Sequence, residues 1–211
     1  MHQPKSSSNS SRARYRLDAS TLLILYKVRG FNVSDSKTVV EKRAALIIKY
    51  RKLKVKKKES EGDKTTYFLS RGDSNNIILC IANQKTIGIA YIRELKSLID
   101  EKGVEKGVII TDGKYTYSAK ANAPKMGIEL IPPTLPTFDI FKHNLVSPAE
   151  ILTEEERERI IEFYHSKPYQ FPWVKSSDPV AIILGAGPGD ILKVTAHSET
   201  AGTYVSYRHV I

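Results

Sequence analysis

The chain has 211 residues, 41% of them hydrophobic, and 33 Lys/Arg against 23 Asp/Glu for a formal charge of +10, which allows one large domain or two small ones with real apolar cores. No stretch approaches the roughly 18 apolar residues of a membrane span, and the single cysteine, Cys80, excludes an intrachain disulfide or a cysteine-based metal site and favours a reducing compartment, cytosol or nucleus. The charge is uneven: residues 1–62 hold 16 Lys/Arg against 5 Asp/Glu, whereas residues 143–211 hold 6 against 9.

Residues 1–14 are Ser-rich and basic, lack the apolar core of a secretory signal, and are expected to be a disordered tail. Asp18 or Ser20 then caps a helix through Val28, stopped by Gly30, and a second helix spans Ser36 to about Tyr50 with Val40, Ala44, Ile47 and Ile48 on one face. The run Lys49–Lys58 packs seven positive charges into ten residues. It suits phosphate contacts, each adding counterion-release affinity, or a nuclear localisation patch, or a solvated mobile loop. Thr65–Leu69 and Ile77–Ile81 read as strands joined by a turn over Arg71–Asn76, so its Arg-Gly-Asp is a turn sequence. A helix from Thr86 to about Glu101, a strand Gly107–Thr111, a helix Ser118–Met126 and a strand Ile128–Ile131 follow. This alternation predicts an α/β layer domain with partly parallel pairing. Pro132, Pro133 and Pro136, with the change of charge sign, place a boundary between a domain over 15–142 and a second over 143–211. In the latter, Thr153-Glu-Glu-Glu156 has the form of a capping box, opening a helix whose Ile160, Ile161 and Tyr164 pack inward.

Gly185-Ala-Gly-Pro-Gly189 raises the question of a phosphate loop, but such a loop needs strand, glycines and helix in that order, because the helix N-terminus receives the phosphate. Here Asp178 and Pro179 start a helix before the glycines, Gly185 stops it, and Gly187–Asp190 forms a turn. Ile191–Thr195 and Thr203–Ile211 then make a β-hairpin about a turn over His197–Gly202. Tyr204 and Tyr207 fall on opposite faces of one strand, one serving the core and the other free for a partner. The sole tryptophan, Trp173, suits core packing and interface anchoring equally.

Ser177-Asp-Pro-Val-Ala181, Gly185, Gly189-Asp-Ile-Leu-Lys-Val194 and, above all, Ser198-Glu-Thr-Ala-Gly-Thr-Tyr-Val-Ser-Tyr-Arg208 resemble the C-terminal domain of the fifth subunit of eukaryotic DNA-directed RNA polymerases and its small archaeal counterpart. Arg29-Gly-Phe-Asn-Val33, Val104–Ile110 and Ser118-Ala-Lys120 extend the resemblance, more weakly, over most of the chain. It implies a nuclease-like α/β jaw domain beside downstream double-stranded DNA and a small mixed α/β assembly domain docked on the largest polymerase subunit, α+β overall. It also implies a noncatalytic nuclear protein, without cofactor, metal or membrane; a viral polymerase would place it in the cytoplasm or virion.

On this reading Thr116, Ser118, Ala119 and Lys120 are DNA-proximal, joined by Lys52, Lys54 and Lys56 of the basic run. Asp178, Pro179, Gly185, Gly189, Ser198, Glu199, Thr200, Ala201, Gly202, Tyr204, Tyr207 and Arg208 shape the subunit interface. The chain departs from the family at Gly187-Pro188, where a basic pair is usual, at Ile182, where an arginine is usual, at the less basic Thr195-Ala196, and at Thr116-Tyr-Ser-Ala119, whose second residue is usually proline. These point to a divergent lineage, viral or fast-evolving eukaryotic. The rival reading is a free-standing nucleic-acid-binding factor that contacts polymerase transiently.

A nuclease-like fold also raises metal-dependent cleavage, which needs clustered carboxylates and a lysine to hold Mg²⁺ and orient water. Asp112 and Glu129 stand at suitable positions, but Ile131 occupies the place of the lysine. His2, His143, His165, His197 and His209 show no ligand spacing. Glu199 organises the hairpin turn or meets Arg208 across it.

Overall fold

Thr38 opens the first helix reciprocally: its hydroxyl accepts the Glu41 backbone N–H at 3.2 Å, and the Glu41 carboxylate accepts the Thr38 N–H at 3.2 Å. The computed structural model describes residues 38–71, 75–200 and 202–211. The tail, the helix expected before Val28, Arg29–Val33, the Gly72–Ser74 turn and Ala201 lie outside them. From Thr38, α1 (Val39–Tyr50) leads into three antiparallel strands, β1 (Lys54–Glu61), β2 (Lys64–Arg71) and β3 (Asn75–Ala82). After β4 (Thr86–Ile87), α2 (Ile89–Lys102) crosses to β5 (Lys106–Thr111), parallel to β3. Then β6 (Lys114–Tyr115), α3 (Tyr117–Asn122) and a 3-10 turn (Pro124–Met126) cross to β7 (Ile128–Ile131), parallel to β5. The resulting sheet has the order β1-β2-β3-β5-β7, with β4 and β6 forming a separate two-residue ladder.

Helices cover the middle of this sheet on both faces, which is why its central strands are unbroken apolar runs. Ile78, Cys80 and Ile109 pack against Ile92, Leu95 and Ile99 of α2 and Ala119 of α3. On the other face Leu79, Ile81, Val108 and Ile110 meet Val40, Ala44 and Ile47 of α1.

The proline-rich connector after β7 is held by α1. The buried Arg43 donates from Nε to the Leu135 carbonyl at 2.8 Å and from Nη2 to the Pro133 carbonyl at 2.5 Å. Lys49 and the Tyr50 hydroxyl both donate to Asp139, the lysine at 2.7 Å, and the Tyr50 ring lies on Phe141 at 4.4 Å between centroids.

A second sheet, of order β8-β10-β11-β9, follows. It contains β8 (Ala149–Ile151), β9 (Trp173–Val174), β10 (Ile191–Ser198) and β11 (Gly202–Val210), with α4 (Glu154–Phe163) and α5 (Pro179–Leu184) between its strands in sequence. α5 is buried on two sides. Its Ile182 and Ile183 complete the core beneath α1, while Ala181 and Leu184 pack with Ala186, Leu192 and Val210 of the second sheet. Apolar packing is therefore continuous across the connector.

Four local expectations are corrected. The basic run is no loop: from Lys54 it pairs with β2 as the rim strand, where one side faces water and charges are tolerated. The helix expected from Thr86 begins at Ile89, because Thr86 and Ile87 pair with Lys114 and Tyr115 and Gly88 becomes the cap. The helix expected over 118–126 ends at Asn122, since Pro124 lacks an N–H and crowds the preceding turn. α4 buries none of its residues, Tyr164 being 47% exposed, because α5 already fills the core of the second sheet.

Candidate assembly hairpin and nucleic-acid interface

The helix start at Asp178 has the expected form: its carboxylate accepts the Val180 N–H at 2.8 Å, and Pro179 takes the first helical position. At the other end Gly185 is left-handed, with φ of 81°. A side chain there would also collide with Arg51, whose Nε lies 2.8 Å from the position of a Cβ. Arg51 ends α1 and is only 7% exposed. Its Nη2 donates to the Ile182 carbonyl at 2.6 Å and its Nε to the Ile183 carbonyl at 3.2 Å, serving carbonyls that a helix C-terminus leaves without intrahelical partners. The same guanidinium grips Glu129 of β7 in a bidentate pair of 2.7 and 2.6 Å. One side chain thus joins α1, β7 and α5.

The amides of the glycine stretch are engaged within the protein. Gly185 and Ala186 donate to the Ala181 carbonyl, Gly187 to the Asp190 carboxylate at 2.8 Å, and Gly189 to the Val210 carbonyl at 2.9 Å. The stretch is a helix stop and a turn into the hairpin.

In the hairpin, Ile191 pairs with His209 and Ser198 with Gly202. The Ser198 and Thr200 hydroxyls meet at 3.2 Å at the tip, where Glu199 is exposed. Arg208 pairs with Leu192, six positions from the Ser198–Gly202 pair, or about 20 Å at the usual rise. Glu199 and Arg208 therefore do not meet, because strand register separates them. Tyr207 packs edge-on with Tyr164 at 5.9 Å and Phe171 at 6.4 Å, whereas Tyr204 is 48% exposed. Trp173 lies on the surface, 63% exposed, its indole N–H donating to the Tyr169 carbonyl at 2.9 Å.

The DNA-proximal candidates fall into two groups. Lys52 sits at a left-handed position, with φ of 55°, and Lys54 and Lys56 are exposed on β1, the latter donating to Asn76 at 2.9 Å. Thr116 caps α3 by accepting the Ala119 N–H at 3.2 Å. Ser118 and Lys120 are exposed, and Tyr117, at the family's proline position, stands 88% exposed. Ala119 is fully buried among α2 and sheet residues; it packs the core and presents nothing to DNA. The two groups do not converge. β1 and β7, the strand that α3 leads into, are opposite rims of a five-stranded sheet, about 19 Å apart at the usual strand spacing. Lys120 instead joins Lys106 and Lys114 along a cleft of about 1000 Å³, whose other wall includes Gly185–Pro188 and Asp190.

Of the two carboxylates at nuclease-like positions, Glu129 is occupied by Arg51, and among the described residues no group of three or more His, Cys, Asp or Glu is arranged to hold a metal. Burial raises the Cys80 thiol pKa, and its sulfur lies 3.0 Å from the Tyr91 hydroxyl. Burial works against the charged form of Asp139, yet the hydrogen bonds from Lys49 and Tyr50 outweigh it and hold the carboxyl below its usual range. The same bond to Asp139 raises Lys49. Sequence reasoning missed Arg51 as a buried tie, because it is one of seven positive residues in a run; the only signal was its place between the helix end and the apolar Leu53.

Comparison with known proteins agrees with this division. Residues 138–210 match the model of the RNA polymerase Rpb5 C-terminal domain, and residues 25–134 match a restriction endonuclease family. The DNA-directed RNA polymerase subunit Rpo5 of Thermococcus onnurineus is 49% identical over 74 residues, which make up 35% of this chain and 90% of that protein. Its counterpart in Sulfolobus acidocaldarius is 48% identical over 74 residues, 88% of its length. The RPABC1 subunit of DNA-directed RNA polymerases I, II and III of Caenorhabditis elegans is 26% identical over 196 residues, covering 90% of this chain and 92% of that protein. A structure of EndoMS in apo form aligns at 20% identity with a TM-score of 0.34, over 45% of this chain and 46% of that one. The chain thus belongs to the Rpb5/Rpo5 family of DNA-directed RNA polymerase subunits, and its residues 25–134 to the restriction endonuclease family they match.

Proposed function

We propose that this chain is a noncatalytic, structural subunit of a nuclear multisubunit DNA-directed RNA polymerase. Residues 143–211 form an assembly domain that docks on the largest subunit, and residues 15–142 support downstream double-stranded DNA. The observation that carries the reading is the extent of the archaeal match. Two archaeal proteins named as polymerase subunits are spanned to 90% and 88% of their length by 74 residues, about the size of the C-terminal match over 138–210. A polymerase subunit can thus consist of little besides this domain, so the domain is the part that joins the enzyme. The exposed lysines of β1 and of the cleft supply charge for phosphate contacts. The engagement of Glu129 by Arg51 speaks against a nuclease site at β7.

The test is purification of the tagged full-length chain from its native source. Stoichiometric recovery of the two largest polymerase subunits, stable to moderate salt, is expected. Recovery as a lone monomer would overturn the reading, and weak, salt-labile recovery would favour a free-standing factor.

A further inference from the structure

The rim of the C-terminal sheet is incomplete along β11. Val210 donates to Asp190 on the β10 side, and His209 donates outward to the Pro172 carbonyl on the β9 side. Backbone direction alternates along an antiparallel strand. The N–H and C=O groups of Thr203, Val205 and Tyr207 therefore point outward, like those of His209, while those of Tyr204, Ser206 and Arg208 bond to β10. On the outward side β9 covers only His209 and Val210. Pro172 then removes the N–H that a longer β9 would need, and the chain turns away into the Pro168–Gln170 3-10 turn. No backbone bond reaches the outward groups of Thr203, Val205 or Tyr207 from elsewhere among the described residues.

This rim lacks the usual guards. Charges, bulges and prolines keep rim strands from pairing with other chains, but Gly202–Tyr207 carries no charge, and Tyr204 and Val205 are 48% and 43% exposed. The register with β10 is unbroken over these residues. We propose that this rim, Thr203–Tyr207, receives an extended, largely uncharged segment of another polymerase subunit as an added strand, continuing the slot that β9 occupies beside His209 and Val210. Main-chain bonds to three successive outward residues supply affinity, and pockets flanking Val205 select alternate side chains. The inference rests on the polymerase reading, which makes the occupant a neighbouring subunit and not a second copy of this chain.

The test compares the free full-length chain with the purified polymerase containing it, by amide hydrogen exchange. In the free chain Thr203, Val205 and Tyr207 exchange rapidly while Tyr204 and Ser206 are protected by β10; in the polymerase the first three slow at least 100-fold. Val205→Pro removes an outward donor without touching a bond to β10, and Val205→Lys places a charge at the rim. Each lowers incorporation into polymerase at least tenfold, with the isolated variant keeping the wild-type circular dichroism; if the proline variant misfolds, the lysine variant and the exchange pattern decide. Wild-type incorporation with unchanged exchange at the three amides, or normal incorporation of Val205→Lys, overturns the proposed rim while leaving the polymerase reading intact. Protection of the three amides in a free-chain dimer assigns the rim to a second copy and likewise overturns it. Failure of the wild type to incorporate overturns the polymerase reading, and this inference with it.

Discussion

The two sheets each present a long strand at the rim and treat it in opposite ways. β1 is exposed along nearly its whole length, carries Lys54, Lys56, Lys57 and Lys58, and shifts register between Val55 and Lys57. Charge and a bulge both discourage another chain from pairing there. β11 carries threonine, tyrosine, valine and serine in unbroken register until Arg208. A basic stretch and an uncharged stretch thus answer the same physical problem, and the unguarded one is the one that a partner covers. The lysines of β1 accordingly have two uses that one experiment can separate: keeping the rim unpaired and meeting phosphates.

The comparison requires both sheets to behave as one body, and Arg51 is the most consequential place to break it. Arg51→Ala strands the Glu129 carboxylate and the Ile182 and Ile183 carbonyls at once. A cost of about 3 kcal/mol is expected, the scale for removing one partner of a largely buried, hydrogen-bonded charge. Denaturant unfolding followed by probes in each sheet, coincident in the wild type, should separate into two transitions. Coincident transitions with an unchanged midpoint would show that the apolar contacts of Ile182 and Ile183 suffice alone. The next largest effect is expected from making β1 resemble β11. Replacing Lys54, Lys56, Lys57 and Lys58 together by threonine should change stability by less than about 1 kcal/mol, as for surface sites, yet give concentration-dependent dimers by light scattering. The same variant, incorporated into polymerase, should hold DNA more weakly, with a shallower dependence on salt. Monomeric behaviour with reduced DNA retention would leave phosphate contact as the only use of these lysines.

Legibility followed burial. The runs of β3, β5 and β7 were readable because both faces are covered, which demands apolar residues at every position. Asp178, Pro179 and Gly185 were readable because a cap, a preset φ and a left-handed stop are local requirements. β1 was not, since a strand exposed along one rim shows no alternation, and Lys54–Lys58 looks the same in a loop. Ladders as short as β4, β6 and β9 are imposed by what they pack against. At the candidate site, the hairpin and its exposed Tyr204 were legible, but the burial of Ala119 and the tie through Arg51 depend on residues far away in sequence. Glu199 and Arg208 show the complementary limit: opposite charges near a turn suggest a pair, and only strand register reveals the separation.

The smallest expected effect concerns the connector between the sheets. Asp139 accepts from both Lys49 and Tyr50, and Lys49 is half exposed, so Asp139→Asn should cost less than about 1 kcal/mol at neutral pH. Its signature is the pH dependence. The carboxyl titrates below its ordinary value in the folded protein, so the unfolded chain binds the proton first as pH falls. The stabilisation is complete above the unfolded value and is lost as pH drops through the lowered folded value. Lys49 is shifted the other way, so its share is complete below the ordinary lysine range and is lost only as pH rises through the raised folded value. Across neutral pH the wild-type advantage over Asp139→Asn should therefore be flat, and it should shrink to nothing in acid, below the ordinary aspartate range. Urea unfolding of both proteins over that span checks this. An advantage that persists in acid would mean that the connector is held by Arg43 and the Tyr50–Phe141 contact, with the Asp139 charge irrelevant to keeping the guarded and the open rim in one body.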